Sequence, residues 1–417
     1  MKLVIDLTNK CNLKCKHCGN ATELINDKDI DFIPILQNFP FKISKVDLMG
    51  GEPLLYYKTD YLLQYLNENK IPFSIITNGQ FDESFAKKIL LDSLTSISIS
   101  IDGLREENDF IRGIGSFEKA RFFIGYLLKN RNEKETQIGI NFVVNRLNFR
   151  KIHLIIKELL VLEIDYINLN QIFELGNAIG NKEILIDDDE YLDALELICK
   201  NFKEEVCTQK ISFELTNPIL VEYLNIKYHL NLQSEFDYCD AARQTLYIDN
   251  QGNIYPCRNY KCKLQFDNLL ADMNKSSKYL LELECGKMIE PYCNDCRFVD
   301  ECYTCPLSYN KKYVLCQEIE KRLANYYDSY KEKFVKWSKE VFHIELEDKI
   351  VIVNPSIEAN YILDKNVKII FDNLKKEVSL YELSKKCGMD YYEVVDMIIS
   401  LRDKGVFEIY GTEKNNL

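Results

Sequence analysis

The chain has little of what builds imidazole metal sites or membrane spans. It contains only 4 histidines among 417 residues, which argues against a histidine-rich zinc or iron centre. Its apolar stretches are shorter than the length needed to cross a bilayer. No basic start followed by an apolar signal core is present, so we expect a cytoplasmic protein with no membrane partner.

Positive charge is also in short supply. The 53 lysines and arginines are outnumbered by 65 acidic residues, and the net charge at pH 7 is −12. Proteins that hold nucleic acid by its phosphates usually carry a basic stripe. We therefore expect no nucleic acid partner, while small molecules and peptides remain as substrates.

Cysteine is abundant, with 15 residues in the chain. In a reducing compartment they do not form a disulfide framework, so close spacings indicate metal binding or redox chemistry. Thiolate-rich ligation selects zinc or iron–sulfur clusters.

The first 170 or so residues alternate between short β-branched runs and longer amphipathic stretches. Six strands are predicted, at "KLVIDL", "SKVDLM", "PFSIIT", "SISISI", "IGINFVV" and "DYINLN". This alternation predicts a parallel sheet with helices outside it, either open or curled into a barrel. In such sheets the chemistry lies at the carboxyl ends of strands. The unusual motifs are there: a cysteine cluster follows the first strand, "GGEP" the second, "TNG" the third and "DG" the fourth.

The rest of the chain divides by composition. After a first domain over 1–175, residues 176–236 are a helical bridge with one strand-like run, "KISFEL", and residues 237–320 are dense in cysteine. A charged helix is predicted from Gln317 to Val341, forming a linker over 321–344. Residues 345–417 begin with a predicted strand, "KIVIVN", and then show the order helix, helix, helix, strand, with "VFEIY" as the closing strand. This order suggests a winged helix.

Cys11, Cys15 and Cys18 have the spacing CxxxCxxC after the first strand. By themselves they are compatible with a zinc site that takes a fourth ligand from elsewhere. "MGGEP" then places two glycines and a carboxylate at the end of the second strand. There, backbone amides and a negative charge are able to reach a ligand of the neighbouring cysteine site.

Together with "ITNG" and "SISIDG", these motifs resemble those of the radical S-adenosylmethionine (radical SAM) superfamily. The resemblance implies an α/β fold with a partial (β/α)6 TIM-like barrel. It also implies that the three thiolates hold a [4Fe–4S] cluster whose remaining iron binds S-adenosylmethionine. A flavodoxin-type or ferredoxin-type donor would reduce the cluster, and the resulting 5′-deoxyadenosyl radical would abstract a hydrogen atom from the substrate.

The resemblance also assigns cofactor-binding residues. It implies that Gly50, Gly51 and Glu52 hold the methionyl amino group with Pro53 shaping the turn, that Ser100 and Arg112 receive the carboxylate, and that Asn78 and Asn145 line the nucleoside. For the last four residues, a role in a turn, a cap or the surface is the alternative. His17, where the family often has an aromatic residue, is interpreted as tolerated variation around a backbone contact to adenine; a cluster-facing imidazole is the alternative.

A second cysteine field begins with a predicted hairpin, "TLYIDNQGNIYP", between Cys239 and Cys257. It continues with "CNDCRFVDECYTC", which taken alone favours a zinc ribbon or knuckle. The series resembles the SPASM extension of radical SAM enzymes, although the final pair is CxxC where many members have CxxxC.

That resemblance implies two auxiliary clusters, and hence three [4Fe–4S] clusters in total. The outer cluster would be held by Cys293, Cys296, Cys302 and Cys316, and the inner one by Cys239, Cys257 and Cys305. Cys262, and after it Cys285, is the candidate for the missing inner ligand; without it, an open iron would be available to a substrate thiolate. Cys199, Cys207 and Cys387 are predicted to be core thiols.

SPASM enzymes mostly act on peptides or proteins. Arg258 stands where sulfatase-maturing members have an aspartate base, so a base is absent from that position; Arg258 and Cys262 are the candidate catalytic residues. The C-terminal unit resembles winged-helix RiPP recognition elements, which bind a leader peptide by strand addition.

We therefore expect a radical SAM maturase that acts on a ribosomal precursor peptide with a leader. The reaction would form a thioether or a carbon–carbon crosslink, or invert an α-carbon. One alternative is a sulfatase-type side-chain maturase. Another is an iron–sulfur sensor whose winged helix binds DNA, although 14 acidic against 10 basic residues from Glu345 onward argue against that.

Overall fold

A computed structural model describes the chain apart from residues 21–29, 132–135, 216, 234–239, 261, 266–268, 283–295, 297, 299–301, 303–311, 339–340, 346–348, 356–358, 365–366, 375–377 and 412–417. The chain divides into two compact units, Met1–Cys316 and Gln317–Leu417. Among the helices in the described part of the chain, none is long and apolar enough to span a membrane.

The first unit is built on a nine-stranded sheet. Its strands are β1 (Lys2–Asp6), β2 (Lys45–Met49), β3 (Phe73–Thr77), β4 (Leu94–Ser100), β5 (Gln137–Val144), β6 (Tyr166–Gln171), β7 (Ile211–Phe213), β8 (Thr245–Ile248) and β9 (Ile254–Tyr255). The spatial order is β7-β6-β5-β4-β3-β2-β1-β8-β9. All neighbours are parallel except β8 and β9. The six predicted strands and the parallel α/β architecture are confirmed.

Helices connect the parallel strands, as crossovers between such strands require. They are α1 (Phe32–Gln37), α2 (Thr59–Glu68), α3 (Glu83–Ile89), α4 (Arg105–Arg112), α5 (Ser116–Asn130), α6 (Ile152–Leu160), α7 (Asp188–Asn201), α8 (Lys203–Cys207) and α9 (Pro218–Tyr228). A further helix, α10 (Leu269–Glu282), follows β9. Helix α5 packs on β4 and β5. Alternate residues of β5, from Ile138 to Val144, are fully buried, as expected for the helix-covered face of a strand.

The sheet is longer at both ends than the sequence predicted. The run "KISFEL" contributes β7, which pairs with β6, and the predicted hairpin adds β8 in parallel beside β1. The hairpin itself is confirmed, with Gly252 in a left-handed conformation (φ +77°) in its turn. Strand β1 thereby gains a partner on the edge that local sequence leaves unpaired.

The opposite face of the sheet is polar. Gly139 leaves room for the ring of Tyr166, since a Cβ at this position would lie 2.4 Å from it, and the Tyr166 hydroxyl lies 2.7 Å from Ser98 Oγ. Toward the carboxyl ends, the strand register places Ser100, Asn141, Asn168 and Ser212 in one row. This face therefore offers amide and hydroxyl groups where a core would offer aliphatic ones.

The second unit begins within helix α11 (Lys312–Asp328) and forms two antiparallel sheets. Its elements are β10 (Phe334–Trp337), β11 (Phe342–Glu345), β12 (Lys349–Asn354), β13 (Ala359–Asp364), α12 (Lys368–Asn373), β14 (Val378–Ser379), α13 (Leu380–Cys387), α14 (Tyr391–Asp403) and β15 (Phe407–Tyr410). The sheet orders are β14-β10-β15 and β11-β12-β13. The three predicted helices and the strands at "KIVIVN" and "VFEIY" are confirmed.

The helix predicted from Gln317 to Val341, and with it a helical linker over 321–344, is wrong. Helix α11 ends at Asp328, and Phe334–Trp337 is a strand between β14 and β15. Val335 is fully buried in that sheet. The apolar and aromatic residues of "FVKW" are good strand formers, and the pairing partners that make them a strand lie far along the chain.

The Tyr166 contact predicts unequal effects of two glycine substitutions. Gly139→Ala should lower the free energy of unfolding by about 1 to 3 kcal/mol, because the new methyl group overlaps the Tyr166 ring. The matched control, Gly125→Ala, places its methyl group in open space on α5 and should raise stability by about 0.5 to 1 kcal/mol. Urea denaturation of both variants measures this difference; equal effects would contradict the packing described.

Candidate cofactor site

Cys11, Cys15 and Cys18 lie on the loop that follows β1, which we call the cysteine loop (residues 9–20). The Cys18 amide donates to the Cys15 carbonyl (3.3 Å), and the Lys16 amide donates to the Ile111 carbonyl near the end of α4 (2.9 Å). These bonds fold the loop tightly and attach it to α4.

The segment after β6 closes over the cysteine loop. Asn177 donates from its backbone amide to the Cys18 carbonyl (3.0 Å) and from its side chain to the Cys15 carbonyl (2.9 Å). Gly176 has φ +54°, and a Cβ there would lie 2.2 Å from the Cys18 carbonyl oxygen. Glycine is therefore required for this approach.

The three thiols differ in burial, since Cys15 is buried whereas Cys11 and Cys18 are partly exposed. Burial raises the pKa of the Cys15 thiol to about 11, with Cys11 and Cys18 contributing through charge repulsion. Burial also raises the pKa of Cys11, with smaller contributions from Glu52 and Cys18. Thiols of this kind need a positive partner to ionise, and a coordinated metal provides one.

Within the described residues, no three side chains of His, Cys, Asp or Glu meet at a single-ion site. The thiolates of a four-iron cluster bind separate iron atoms. The donor set decides whether these residues fit a four-iron cluster. It consists of three neighbouring thiols on one short loop, with charged groups beside them. These residues fit such a cluster.

The "GGEP" segment packs directly on the cysteine loop. The amides of Gly51 and Glu52 donate to the carbonyls of Thr8 (2.7 Å) and Lys10 (2.8 Å). A Cβ at Gly50, whose φ is +136°, would lie 2.5 Å from the Thr8 carbonyl oxygen, and one at Gly51 equally close to that of Lys10. Both glycines are therefore needed for this contact, which sequence reasoning did not foresee.

The Glu52 carboxylate points into the protein. It is 1% exposed and accepts hydrogen bonds from Thr77 Oγ1 (2.8 Å) and from the amides of Asn78 (2.8 Å) and Leu54 (3.1 Å). Burial raises its pKa to about 7 despite these donors. Glu52 thus joins the end of β2 to the end of β3, and Pro53 begins a short 3₁₀ turn.

The other predicted nucleoside and carboxylate residues differ in position. The Asn78 side chain donates to Asn12 Oδ1 (2.7 Å) and lies 3.7 Å from Cys11 Sγ, so it contacts the cysteine loop. The Asn145 side chain is used within its own turn, donating to the Val143 carbonyl (2.9 Å) and accepting from the Leu147 amide (3.0 Å). Ser100 is the last residue of β4 and is buried.

Arg112 lies between a carboxylate and a thiol. Its Nε donates to Asp102 Oδ2 (2.6 Å), and its Nη1 is 4.0 Å from Cys15 Sγ. His17 Nε2 lies 3.5 Å from the same Asp102 oxygen, and burial lowers the His17 pKa to about 4, so the imidazole is neutral. Burial opposes ionisation of Asp102, but the charge and hydrogen bond of Arg112, together with the Val143 amide, outweigh it and hold the Asp102 pKa below its usual range. Asp102 lies within the "SISIDG" motif, but the sequence alone assigned it no role.

A second polar network reaches the "GGEP" segment from the far end of the sheet. Buried Asp6 accepts from the Tyr247 hydroxyl (2.6 Å) and from Arg258 Nη2 (3.2 Å). The same Nη2 donates to Asn20 Oδ1 (2.7 Å), and Asn20 donates to the Gly50 carbonyl (3.1 Å). Arg258 was predicted as a site residue, whereas Asp6 and Tyr247 were not.

The predicted auxiliary ligands are only partly described. Cys239, Cys293 and Cys305, together with Cys285, lie outside the described residues. Of the others, Cys257, Cys296, Cys302 and Cys316 are partly exposed and Cys262 is exposed. Cys316 Sγ accepts from Asn217 Nδ2 (3.3 Å). The ligand sets of both auxiliary clusters stay predictions.

The three predicted core thiols divide. Cys199 and Cys387 are buried, as predicted. Cys207 is exposed, so that prediction is wrong. It is the last residue of the short helix α8.

Comparison of the chain with known proteins is consistent with this geometry. The profile of the Radical SAM superfamily matches residues 5–157. Fe-coproporphyrin III synthase of Methanosarcina barkeri is 34% identical, but the match spans only 36% of this chain and 38% of that protein. An uncharacterised protein of Methanocaldococcus jannaschii is 32% identical over 67% of this chain and 91% of its own length. A probable GTP 3′,8-cyclase of the same organism is 25% identical over 70% and 93%.

Peptide-related proteins are also similar. PqqA peptide cyclase of Granulibacter bethesdensis is 20% identical over 62% of this chain and 67% of its own length. The structure of Streptococcus suis SuiB bound to precursor peptide SuiA has a TM-score of 0.55 and 21% identity, covering 72% of this chain and 70% of that one. Native anSMEcpe with bound AdoMet has a TM-score of 0.56 and 17% identity, covering 79% and 99%. At these identities the two structures show a shared fold.

The buried Glu52 carboxyl predicts a pH-dependent stability. Because its pKa in the folded protein is raised from 4.5 to about 7, the folded state binds this proton more tightly than the unfolded state. The resulting stabilisation is fully present below pH 4.5 and is lost as the pH rises through 7, about 3 kcal/mol in total. Urea denaturation of the iron-free protein across this range should show the slope in wild type and lose it in Glu52→Gln.

The control is Glu68→Gln, at the exposed end of α2, which should keep the wild-type slope. An unchanged slope in Glu52→Gln would contradict a proton on the buried carboxyl.

Proposed function

This chain belongs to the radical SAM superfamily, and from that premise we propose that it is a maturase of a ribosomally made precursor peptide. When bound, S-adenosylmethionine and a reduced [4Fe–4S] cluster supply a 5′-deoxyadenosyl radical that removes a hydrogen atom from the substrate. The observation that supports a peptide substrate is the fold shared with SuiB, whose solved complex contains precursor peptide SuiA.

Cys11, Cys15 and Cys18 are proposed to hold the cluster that binds S-adenosylmethionine. Their loop is held on two sides, by the "GGEP" segment and by the Gly176–Asn177 turn. Such support orients ligands before the metal arrives, which is what outer residues of metal sites do. Arg112, whose guanidinium stays charged, provides a cation beside Cys15.

Ser100, Asn78 and Arg112 are proposed to bind S-adenosylmethionine around the cysteine loop. Each lies at or just beyond the carboxyl end of a strand, or at the end of the helix after it. Asn145 has weaker support, because both ends of its amide are used in a turn. Gly50, Gly51 and Glu52 would contribute mainly by shaping the loop, since the Glu52 carboxylate already has three protein donors.

The polar face of the sheet is proposed to bind the peptide segment that reacts. Asn141 and Asn170 contact each other there (2.8 Å), as do Asn168 and Ser212 (2.6 Å). Amide and hydroxyl side chains both donate and accept, as the peptide backbone requires.

The second unit is proposed to bind the leader of the precursor peptide. Strands β11 and β13 are the two edges of their sheet, and an edge strand is able to accept an added strand from another chain. Ile344 on β11 and Ile362 on β13 are 49% and 66% exposed, which provides apolar contacts for a leader.

The cysteines of the second field are proposed to hold two auxiliary clusters. The outer set is Cys293, Cys296, Cys302 and Cys316, and the inner set is Cys239, Cys257 and Cys305 with Cys262. An external flavodoxin-type or ferredoxin-type protein would supply electrons.

Two other functions have less support. A sulfatase-type maturase needs a base where this chain has Arg258, and Arg258 is paired with Asp6. A DNA-binding iron–sulfur regulator would need a basic second unit, and this one is acidic.

The experiment is a mass measurement on small peptides encoded beside the gene. Each peptide is incubated without oxygen with the reconstituted protein, S-adenosylmethionine and dithionite. Loss of two hydrogen atoms means a thioether or carbon–carbon crosslink. Unchanged mass with deuterium uptake from heavy water means inversion of an α-carbon. If no peptide is altered and GTP is consumed, the peptide proposal is wrong.

Two cysteine variants provide matched controls. Cys18→Ala should lose the part of the visible absorption that this one of the three proposed clusters contributes, together with the release of 5′-deoxyadenosine. Cys207→Ala removes an exposed thiol on α8 and should keep both. A wild-type protein that binds zinc and shows no visible absorption would contradict the cluster assignment.

A further inference from the structure

A single buried carboxylate connects three parts of the candidate site. Asp102 follows β4 and has no exposed surface. Its Oδ1 accepts from the Val143 amide on β5 (2.9 Å), and its Oδ2 accepts from Arg112 Nε (2.6 Å) and faces His17 Nε2 (3.5 Å). The two oxygens are therefore committed to opposite sides: one to a fixed backbone group, the other to side chains beside the cysteine loop.

Arg112 is held in place both by the backbone beside it and by its side chain. It is the last residue of α4, and the preceding carbonyl, that of Ile111, accepts from the Lys16 amide of the cysteine loop (2.9 Å). With Nε on Asp102, the guanidinium is oriented so that Nη1 lies 4.0 Å from Cys15 Sγ. Only 8% of Arg112 is exposed, so solvent screens this charge weakly.

The charges at Cys15 do not cancel. Arg112 Nη1 lies 4.0 Å from Cys15 Sγ, whereas the Asp102 carboxylate is bonded to Nε, a different nitrogen of the guanidinium. The Asp102–Arg112 pair therefore acts on this sulfur as a positive group, even though the pair is neutral as a whole.

We propose that Asp102 is a positioning residue that holds the Arg112 guanidinium against the Cys15 thiolate, so that the cation favours the reduced state of the bound cluster. Reduction adds one electron to the cluster from an external low-potential donor and no bond is formed or broken. The reduced cluster carries one more negative charge, so a nearby cation stabilises it relative to the oxidised one. This inference rests on the proposed ligation by Cys11, Cys15 and Cys18, and is independent of which substrate is used.

This role of the Arg112 guanidinium differs from binding the carboxylate of S-adenosylmethionine. A contact to that carboxylate acts only when S-adenosylmethionine is present. A cation beside a cluster thiolate acts whether or not it is bound. The midpoint potential of the cluster measured without S-adenosylmethionine separates the two.

The test is a dithionite redox titration followed by electron paramagnetic resonance on the reconstituted full chain. Iron content is measured first, and the titration follows the signal of the cluster held by Cys11, Cys15 and Cys18, identified by its absence from Cys18→Ala. Arg112→Gln should reduce the equilibrium constant for reduction about tenfold, a fall of about 59 mV for a one-electron couple. Arg112→Lys, which keeps a charge on a shorter side chain, should lie between Arg112→Gln and wild type.

The matched control is Arg131→Gln. Arg131 is also largely buried and paired with a carboxylate, that of Asp165, but it lies before β5 at the opposite end of the sheet. It should leave the potential unchanged. A wild-type potential in Arg112→Gln, or an equal fall in Arg131→Gln, would overturn the inference.

Asp102→Asn tests the positioning role by the sign of its effect. Asparagine has one acceptor oxygen where aspartate has two. If that oxygen keeps the hydrogen bond from the Val143 amide, the side-chain NH₂ group faces Arg112. Two donors then oppose each other, and the guanidinium is released. The potential should then fall toward that of Arg112→Gln. Loss of a negative charge with Arg112 still in place would raise the potential instead, and a rise or no change would overturn the positioning role.

Iron content distinguishes the two levels of failure. If wild type shows no cluster signal that Cys18→Ala lacks, the proposed ligation fails and the inference fails with it. If the cluster assembles and releases 5′-deoxyadenosine but the potentials do not differ, only the inference fails. If Arg112→Gln does not assemble a cluster, Arg112→Lys carries the test by its intermediate potential.

Discussion

The amides that follow β2 donate to the carbonyls of Thr8 and Lys10, and the arrangement of the candidate site depends on this backbone contact. It requires two consecutive glycines, because side chains there would overlap the loop that carries the cysteines. The loop that carries the three thiols is thereby held to β2 on one side and to the turn after β6 on the other. The glycines of "GGEP" therefore allow the backbone after β2 to approach the cysteine loop. Any effect on a ligand is indirect, through the position of that loop.

Buried carboxylates extend this arrangement around the end of the sheet. Asp6 ends β1, Glu52 follows β2 and Asp102 follows β4, and each is at most 3% exposed. Their partners differ. Asp6 and Asp102 each bind an arginine, whereas Glu52 is surrounded by neutral donors. The Glu52 pKa is accordingly raised while that of Asp102 is lowered, because Asp102 is ion-paired with Arg112, whereas Arg112 is only a minor influence on Glu52.

Much of the fold follows from local pattern. The strands from β1 to β6 were predictable because β-branched runs alternate with amphipathic stretches, and the motifs fall at strand ends where parallel sheets place their ligands. Pattern failed where pairing is distant. Local pattern predicts a helix at "FVKW", whereas the structure has a strand there. Its partners β14 and β15 lie more than forty residues away along the chain, so local pattern does not reveal the pairing. The parallel pairing of β8 with β1 was missed for the same reason.

The sequence by itself determined that three cysteines, a glycine pair and polar strand ends meet at one edge of a parallel sheet, because order along the chain and strand direction suffice for that. Only the tertiary structure decided which groups touch. That the Glu52 side chain turns inward, that Asp102 holds Arg112 beside Cys15, and that Tyr247 reaches Asp6 across 241 positions depends on side-chain direction and on contacts between distant residues. Periodicity and spacing carry no information about either, since they describe only near neighbours along the chain.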